Sequence, residues 1–327
     1  MASEGFLRPG NTIGVVSPAS AAPAESFAAA EALIERRGYE SKFFSSPDDR
    51  QGRLAGNDAL RTRQLIAALV DPTVDAVFCM RGGYGSARII DNIPDSALLL
   101  QQKPFVGYSD ITTILNHMVS RGRKNVFHGP MLKDLVSADD PCSEKYLFDV
   151  LEGRSHELSL KSNRIKIINE GECSGPIIGG NISIIESIIG TNSYYNKSGF
   201  ILLLEEVNEP AYRLDRSINH LKRAGVFDKC CGVILSEMVG PDIDDVDCSL
   251  GVDFEELLAE HFYDFGDRPV VANVPCGHTQ PQLTLPFGAT LNMRVDRDSF
   301  RLGLSLIEQG ELRKGDATET SSLRAAA

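Results

Sequence analysis

The chain has 327 residues, which suggests two domains at roughly 100–200 residues per domain. With 42% apolar and 24% charged residues, the composition is that of a globular protein and excludes wholesale disorder. The 45 acidic side chains outnumber the 33 basic ones, so the net charge of −12 excludes the positive surface of a nucleic-acid or anionic-membrane binder. No apolar run approaches the ~20 residues of a spanning helix, and no basic segment followed by an apolar stretch opens the chain. We therefore expect a soluble cytoplasmic protein without an export signal.

The first half of the sequence alternates short apolar runs with amphipathic patterns. The runs predict strands at residues 12–17, 40–45, 75–80, 104–108 and 125–128, and the patterns predict helices at 24–37, 58–70 and 111–121. Strands that alternate with helices of this length indicate βαβ units and a parallel sheet covered on both faces.

The texture changes at about residues 152–175, where polar, glycine-containing, alternating segments favour a crossover followed by antiparallel strands. Beyond it the patterns predict helices at 182–189, 213–224 and 254–265, strands at 199–204, 232–235 and 269–275, and further β-rich segments up to about residue 305. We expect an N-terminal α/β domain at 1–155, a linker at 156–172, a β-rich α+β domain at 173–311 and a disordered tail at 312–327.

The strongest local signal for chemistry is the segment PFVGYSDI, in which an apolar strand leads directly into a turn and a helix. This context is typical of a nucleophile elbow that presents the hydroxyl of Ser109, with the backbone N–H of Asp110 placed to hold an oxyanion. The alternative is that Ser109 or Asp110 only caps the helix. The G-x-S-x-G pattern is half met, because residue 111 is Ile.

A second signal is the glycine turn in MRGGYGSAR, which also follows a predicted strand. Gly82 and Gly83 would allow close approach of a ligand and leave N–H groups for an anion. The spacing fits no nucleotide-binding motif, and a tight strand-to-helix turn is the alternative. Both turns would lie at the carboxyl ends of parallel strands, where open α/β sheets bind ligands.

A serine nucleophile needs a base and an acid that orients it. Two of the six histidines, His128 and His278, follow predicted strands, and either can be a plain loop residue. The acid can come from Glu205, Glu206 or Glu209 at the end of an apolar strand. Because successive strand residues point to opposite faces, Glu205 and Glu206 cannot both face one site, but spacing does not choose between them.

The remaining histidines are weaker candidates for the base. His117 lies inside the helix that follows Ser109, on a face directed away from it, and His156, His220 and His261 stand in polar or helical surface contexts where we expect them to be solvated. The seven cysteines include no C-x-x-C pair, which argues against a zinc or thioredoxin-like site and favours ordinary thiols.

Six ordered blocks of the sequence, RGGYGSARI, GYSDIT, FHGPML, GGNISIIESIIGT, ILLLEEVNEPAYRLDR and CGHTQPQLTLPFG, resemble the motifs of the LD-carboxypeptidase family of serine peptidases. The resemblance extends over residues 10–305. It implies a flavodoxin-like or amidotransferase-like N-terminal domain with a parallel sheet, a β-rich C-terminal domain, and a site in the cleft between them. It also implies a homodimer.

By this resemblance the family's catalytic residues correspond to Ser109 as nucleophile, Glu205 as acid and His278 as base. The oxyanion hole would be formed by Asp110 with Gly82 or Gly83. The substrate would be a murein tetrapeptide, free or as UDP-MurNAc-tetrapeptide, that loses its terminal D-alanine during cell-wall recycling. No metal or other cofactor is implied.

The leaving D-alanine carries a carboxylate, so we expect a cation near it. Arg81 is the candidate, with structural pairing as the alternative, and Tyr84 is a second candidate for contact with substrate.

Two other functions compete with release of D-alanine from a murein tetrapeptide. One is hydrolysis of microcin C-type peptidyl nucleotides by a self-immunity branch of the same superfamily, and the other is non-catalytic ligand binding.

Overall fold

The computed structural model describes residues 5–137, 140–155, 157–161, 163, 165–238 and 254–304. The expectations for the tail at 312–327 and for His156 lie outside these described residues.

The described residues form fourteen strands and ten α-helices. In chain order the strands are β1 (Thr12–Val16), β2 (Glu40–Phe43), β3 (Ala76–Cys79), β4 (Phe105–Gly107), β5 (Val126–His128), β6 (Glu157–Lys161), β7 (Lys166–Asn169), β8 (Gly171–Asn181), β9 (Phe200–Glu205), β10 (Cys230–Ser236), β11 (Val270–Val274), β12 (Leu285–Phe287), β13 (Thr290–Asp296) and β14 (Ser299–Leu304). The helices are α1 (Ala24–Arg36), α2 (Asp58–Val70), α3 (Asp95–Leu99), α4 (Thr112–Ser120), α5 (Leu132–Ser137), α6 (Pro141–Leu151), α7 (Ile182–Ile188), α8 (Ala211–Arg223), α9 (Val226–Lys229) and α10 (Phe254–Phe262).

One long sheet runs through both halves of the chain, in the order β2-β1-β3-β4-β5-β12-β8-β9-β10-β11-β7. The strands from β2 to β5 are parallel to their neighbours, and so are those from β8 to β11. Strand β12 joins the two sets, because it pairs antiparallel with β5 and parallel with β8. The fold is therefore a mostly parallel, mixed sheet covered by helices, as the sequence predicts.

The antiparallel part of the C-terminal half is built on the long strand β8. Its first six residues pair with β13, which pairs with β14, and β14 pairs with β6. Its last five residues pair instead with β9 in the parallel set. Strand β8 thus belongs to both arrangements, and it carries the antiparallel strands that the alternating sequence predicts.

The central strands have no polar face, because both sides of the sheet are covered. Strands β3 and β9 are buried at every residue, which is the pattern of a parallel sheet with helices on both sides. Helix α4 is buried from Thr112 to Val119, including polar Asn116, whose amide pairs with the backbone of Gly179 in β8. This helix therefore packs between the two halves.

Several helix boundaries differ from the predicted ones. Helix α10 ends at Phe262 rather than 265, because Phe265 packs its ring edge-on against Phe227 and Phe262 from the following turn. Helix α6 was not predicted, although Asp140 caps it and Pro141 occupies its first turn. In the part of the chain that the structure describes, no helix has the length and apolar character needed to cross a membrane.

Candidate active site

Ser109 lies where β4 passes into a short 3-10 turn and then into α4. Its φ of 60° is in the left-handed region, which a residue with a Cβ adopts only at a local cost. The sharp turn places Ser109 at the carboxyl edge of the parallel strands, as expected for a nucleophile elbow.

Two side chains from the C-terminal half approach this hydroxyl. Nε2 of His278 is 3.2 Å from Oγ of Ser109, and Nδ1 of His278 is 2.7 Å from Oε2 of Glu205. His278 follows β11, and Glu205 is the last residue of β9. The structure thus joins a hydroxyl, an imidazole and a carboxylate from distant parts of the sequence into one hydrogen-bonded chain.

The backbone at Gly277 lets His278 come this close to Glu205. A Cβ at residue 277 would lie 2.7 Å from Cβ of Glu205 and 2.9 Å from Oγ of Ser236. Any side chain here would push the histidine loop away from the end of β9. The glycine therefore has a packing role directly beside the hydrogen-bonded chain.

The surroundings of His278 favour its protonated form. Burial lowers the pKa of the imidazole, but the hydrogen bond and charge of Glu205 outweigh burial and raise the pKa above its usual 6.5. Glu205 is fully buried, and burial raises its own pKa while the contact with His278 opposes the shift. This electrostatic pairing suits a histidine that must accept a proton during a reaction.

The candidate oxyanion donors lie on both sides of the serine. A Cβ at Gly82 would lie 3.2 Å from Oγ of Ser109, so the backbone of Gly82 passes directly over the hydroxyl. Gly83 has a φ of 100°, and a Cβ there would meet Oγ of Ser20 at 2.6 Å instead. Of the two glycines, Gly82 is the one next to the serine. Asp110 follows Ser109 directly, and its carboxylate accepts the backbone N–H of Ser86 at 2.9 Å.

The glycine turn is braced by a buried arginine that the sequence did not single out. Arg61 is fully buried, and its guanidinium donates to the carbonyl of Gly85 at 2.8 Å and to the carbonyl of Pro18. It also pairs with the carboxylate of Asp58. An arginine in the middle of a helical pattern gives no sequence signal for this role, because its partners are backbone carbonyls of distant turns.

Arg81 and Tyr84, the candidates for contact with substrate, lie on the same turn. Nη1 of Arg81 donates to the carbonyl of Ala21 at 2.9 Å, and this contact is the structural pairing that the sequence offered as the alternative. Tyr84 is 49% exposed, and its backbone N–H donates to Oγ of Ser20. Both residues flank the glycines of this turn, of which Gly82 is the one beside Ser109.

The competing base, His128, is enclosed in the core. Its Nε2 lies 2.6 Å from the carbonyl of Cys276, and its ring stacks on Phe287. Burial lowers the pKa of His128 to about 4, so it is neutral near pH 7. His128 therefore lies beneath the loop that carries His278.

The competing acids have other partners. The buried carboxylate of Glu206 accepts hydrogen bonds from the amide of Asn181, from the N–H and hydroxyl of Ser183 and from the N–H of Val207. Glu209 pairs with Arg213 at 3.4 Å. Of the three candidate glutamates, the structure brings only Glu205 to His278.

The other described histidines are engaged elsewhere. His117 is buried with Nδ1 3.0 Å from Oγ of Ser193, and His220 pairs with Glu186. The side chain of His261 is only 9% exposed and pairs with Asp215, so the expectation that it is solvated was wrong. The pairing forms because α8 and α10 pack together, a contact that the local sequence does not show.

Two residues next to the site were missed. The ring of Tyr108 lies 4.8 Å from the ring of His278, and burial together with the nearby charge of Asp134 raises the pKa of the Tyr108 hydroxyl. Tyr108 directly precedes Ser109 in the sequence, which was the available signal. Among the described residues, no group of three or more His, Cys, Asp or Glu side chains is arranged to hold a metal ion.

Comparison with known proteins gives consistent matches over both halves. Residues 13–129 match the family model described as the LD-carboxypeptidase N-terminal domain, and residues 174–293 match the one described as the LD-carboxypeptidase C-terminal domain. A Bacillus subtilis protein named "Probable murein peptide carboxypeptidase" is 30% identical over 295 residues, which are 88% of this chain and 90% of that protein.

Two solved structures are also similar. The muramoyltetrapeptide carboxypeptidase from Oxalobacter formigenes has a TM-score of 0.80 at 27% identity, over 90% of this chain and 99% of that one. MccF in complex with glutamyl sulfamoyl guanosine has a TM-score of 0.82 at 21% identity, over 93% of this chain and 99% of that one. The second likeness shows a common fold.

Proposed function

The chain belongs to the LD-carboxypeptidase family, and from this premise we propose that it is a serine carboxypeptidase that releases the terminal D-alanine from L,D-linked murein tetrapeptides. The observation that carries the proposal is the hydrogen-bonded chain from Ser109 through His278 to Glu205, at 3.2 Å and 2.7 Å. These distances are within reach of proton transfer between a nucleophile, a base and an orienting acid.

The mechanism follows from the positions of the three groups. His278 takes the hydroxyl proton of Ser109 through Nε2 as Oγ attacks the carbonyl carbon of the L-centre that precedes D-alanine. Glu205 accepts a hydrogen bond from the Nδ1–H of the imidazole and stabilises the positive charge that the ring acquires. His278 then gives the proton to the nitrogen of D-alanine, the amide bond breaks, and an ester on Ser109 remains. Water, deprotonated by the same histidine, hydrolyses that ester.

The developing oxyanion would be held by the backbone N–H of Asp110 together with that of Gly82. Gly82 is favoured over Gly83 because its backbone lies directly over the Ser109 hydroxyl, whereas Gly83 faces Ser20. Each such donor is worth about 3–4 kcal/mol in the transition state. Arg81, on the same turn, would face the carboxylate of the leaving D-alanine.

The proposal is tested by mass spectrometry of UDP-MurNAc-tetrapeptide incubated with the wild-type chain and with Ser109→Ala. We expect the wild type alone to remove one alanine. Loss of alanine with both proteins would rule out Ser109 as nucleophile. No loss with either protein, together with cleavage of a microcin C-type peptidyl nucleotide, would replace the proposed function with that of the self-immunity branch.

A further inference from the structure

The two proposed oxyanion donors lie in separate loops that a pair of buried hydrogen bonds joins. Asp110 lies in the turn that begins at Ser109, whereas Gly82 lies in the glycine turn that passes over the Ser109 hydroxyl. The carboxylate of Asp110 accepts the backbone N–H of Ser86 at 2.9 Å, and the hydroxyl of Ser86 donates to the carbonyl of Asp110 at 2.5 Å. Asp110 is 4% exposed and Ser86 is fully buried, so both hydrogen bonds are shielded from water.

One peptide unit of the glycine turn is restrained at both of its polar groups. The unit between Gly85 and Ser86 donates its N–H to Asp110, and its carbonyl accepts from the guanidinium of the fully buried Arg61 at 2.8 Å. Hydrogen bonds to ionised groups are roughly twice as strong as those between neutral groups. A carboxylate and a guanidinium therefore fix the orientation of this peptide from opposite sides.

The glycine turn needs such a restraint because glycine is conformationally free. Gly83 and Gly85 have φ values of 100° and 123°, which lie outside the range that other residues commonly adopt. An oxyanion hole lowers the barrier only when its donors are in place before the reaction. Movement of the turn would displace the N–H of Gly82 from the oxyanion and weaken catalysis.

Helix capping, the other role that the sequence offers for Asp110, is not supported by its contacts. Among the described residues, no side-chain hydrogen bond caps the 3-10 turn at Ser109–Ile111 or helix α4. The carboxylate instead contacts a residue 24 positions earlier in the chain. Burial raises the pKa of Asp110, and the hydrogen bond from Ser86 opposes that shift. The contact between the two loops thus offsets part of the cost of burying this carboxylate.

We propose that the side chain of Asp110 is a positioning residue for the oxyanion hole. By restraining the peptide between Gly85 and Ser86, its carboxylate fixes the separation between the N–H of Asp110 itself and the N–H of Gly82. The inference rests on the proposed function and adds to it a side chain that acts through the backbone of the neighbouring loop rather than on the substrate.

The test uses two substrates that differ in one atom. One is UDP-MurNAc-tetrapeptide, and the other has a thioamide in place of the amide that precedes the terminal D-alanine. Sulfur is a weaker hydrogen-bond acceptor than oxygen, so the amide-to-thioamide ratio of kcat/KM depends on the oxyanion donors. In Asp110→Ala we expect kcat for the amide to fall about a hundredfold with KM changed less than about threefold, and the ratio to fall about tenfold.

Two milder variants test the same contact if Asp110→Ala folds poorly. Asp110→Asn keeps an oxygen that can accept the N–H of Ser86, so its kcat should be within about tenfold of that of the wild type. Ser86→Ala removes only the hydroxyl that donates to the carbonyl of Asp110. It should lower kcat and the amide-to-thioamide ratio in the same direction as Asp110→Ala, by smaller factors.

Glu152→Gln is the matched control. The carboxylate of Glu152 accepts from the hydroxyl of Tyr39 at 2.8 Å, and Tyr39 directly precedes β2, at the amino edge of the parallel strands and opposite the site. This variant should leave the amide-to-thioamide ratio unchanged. An unchanged ratio in Asp110→Ala and Ser86→Ala, whatever the loss of kcat, would overturn the inference and leave the proposed function standing. Release of no D-alanine by the wild type would overturn both.

Discussion

Two adjacent glutamates close strand β9, and their surroundings are unlike each other. Glu205 contacts His278 and has an oxygen, Oε1, with no hydrogen-bond partner among the described residues. Glu206 has four hydrogen bonds, which tie the ends of β8 and β9 to the start of α7. In the proposed mechanism Glu205 orients the base, whereas the contacts of Glu206 are structural.

Amide substitution should therefore separate activity from stability at these two positions. Glu205→Gln should lower kcat by about 10³–10⁴-fold and change the free energy of unfolding little, because the amide cannot hold the required tautomer of His278. Glu206→Gln should cost about 2–4 kcal/mol of unfolding free energy, since its NH₂ group would face donors, while kcat falls by less than about tenfold. Turnover and urea unfolding measure both, and equal loss of kcat in the two variants would contradict the assignment.

In the proposed mechanism His278 controls the pH dependence of the reaction. The base must be neutral to accept the proton of Ser109, so kcat/KM should fall as pH drops through the pKa of His278 in the free enzyme. Because Glu205 raises that pKa, the acidic limb of the wild-type profile should lie above pH 6.5. The residual activity of Glu205→Gln should show this limb at lower pH. A limb that stays in place would mean that another group controls it.

For single residues, the sequence could reduce the number of candidates for the acid but could not choose one. Strand alternation shows that Glu205 and Glu206 face opposite sides, yet which side holds the site depends on the loop after β11, about 70 residues later. Family resemblance supplied the choice, and the structure brings that glutamate to His278. Asp134 had no comparable signal, because it stands in no motif and comes near Tyr108 and His278 only in the folded chain.

Among the elements, strand β5 not only pairs with its neighbours but also supports the loop that carries His278. Its last residue, His128, lies opposite Leu285 of β12 and holds the carbonyl of Cys276, two residues before His278. The pairing of β5 with β12 is a contact between residues far apart in sequence, so no local pattern could show that His128 is buried. For the same reason the sequence left His128 and His278 as equal candidates.

The burial of His128 makes the fold sensitive to acid. Its pKa is about 4 in the folded chain and ~6.5 in the unfolded chain, so between these values the unfolded state binds the extra proton and stability falls as pH falls. His128→Gln retains a donor for the Cys276 carbonyl but does not titrate. The drop in unfolding free energy from pH 7 to pH 5 should be about 2 kcal/mol smaller in the variant. Urea unfolding at both pH values measures it, and identical drops would mean that His128 is not buried as a neutral group.

The alternation of strands and helices could be predicted from the sequence, because each element has its own periodicity. Helix α6 was nevertheless missed. Its start signals, Asp140 and Pro141, were present in the sequence. The order of strands in the sheet was not readable, because β12 inserts between β5 and β8 from near the end of the described chain.

Across the whole molecule, the site exists because the two halves are joined. Ser109 comes from the first half, and His278 and Glu205 come from the second. The halves are tied by β12, by the Asn116 amide on the backbone of Gly179, and by the N–H of Asn181 on Oγ1 of Thr112 at 3.2 Å. These contacts surround the start of α4 and so fix the serine relative to the other two residues.

A continuous sheet and a shared core predict that the halves unfold together. Far-UV circular dichroism, near-UV tyrosine circular dichroism and activity should give coincident thermal or urea transitions. Two separated transitions would show that the junction through β12 contributes little, and would contradict the cooperative linkage inferred here.

The central claim is that Ser109 is activated by His278. The most direct measurement is the rate of labelling by a serine-reactive fluorophosphonate, with the modified residue identified by peptide mass spectrometry. We expect one adduct, on Ser109, in the wild-type chain, no adduct in Ser109→Ala, and labelling slowed by about a hundredfold or more in His278→Ala, because the general base is lost. Labelling at another residue, or an equal rate in His278→Ala, would contradict the account.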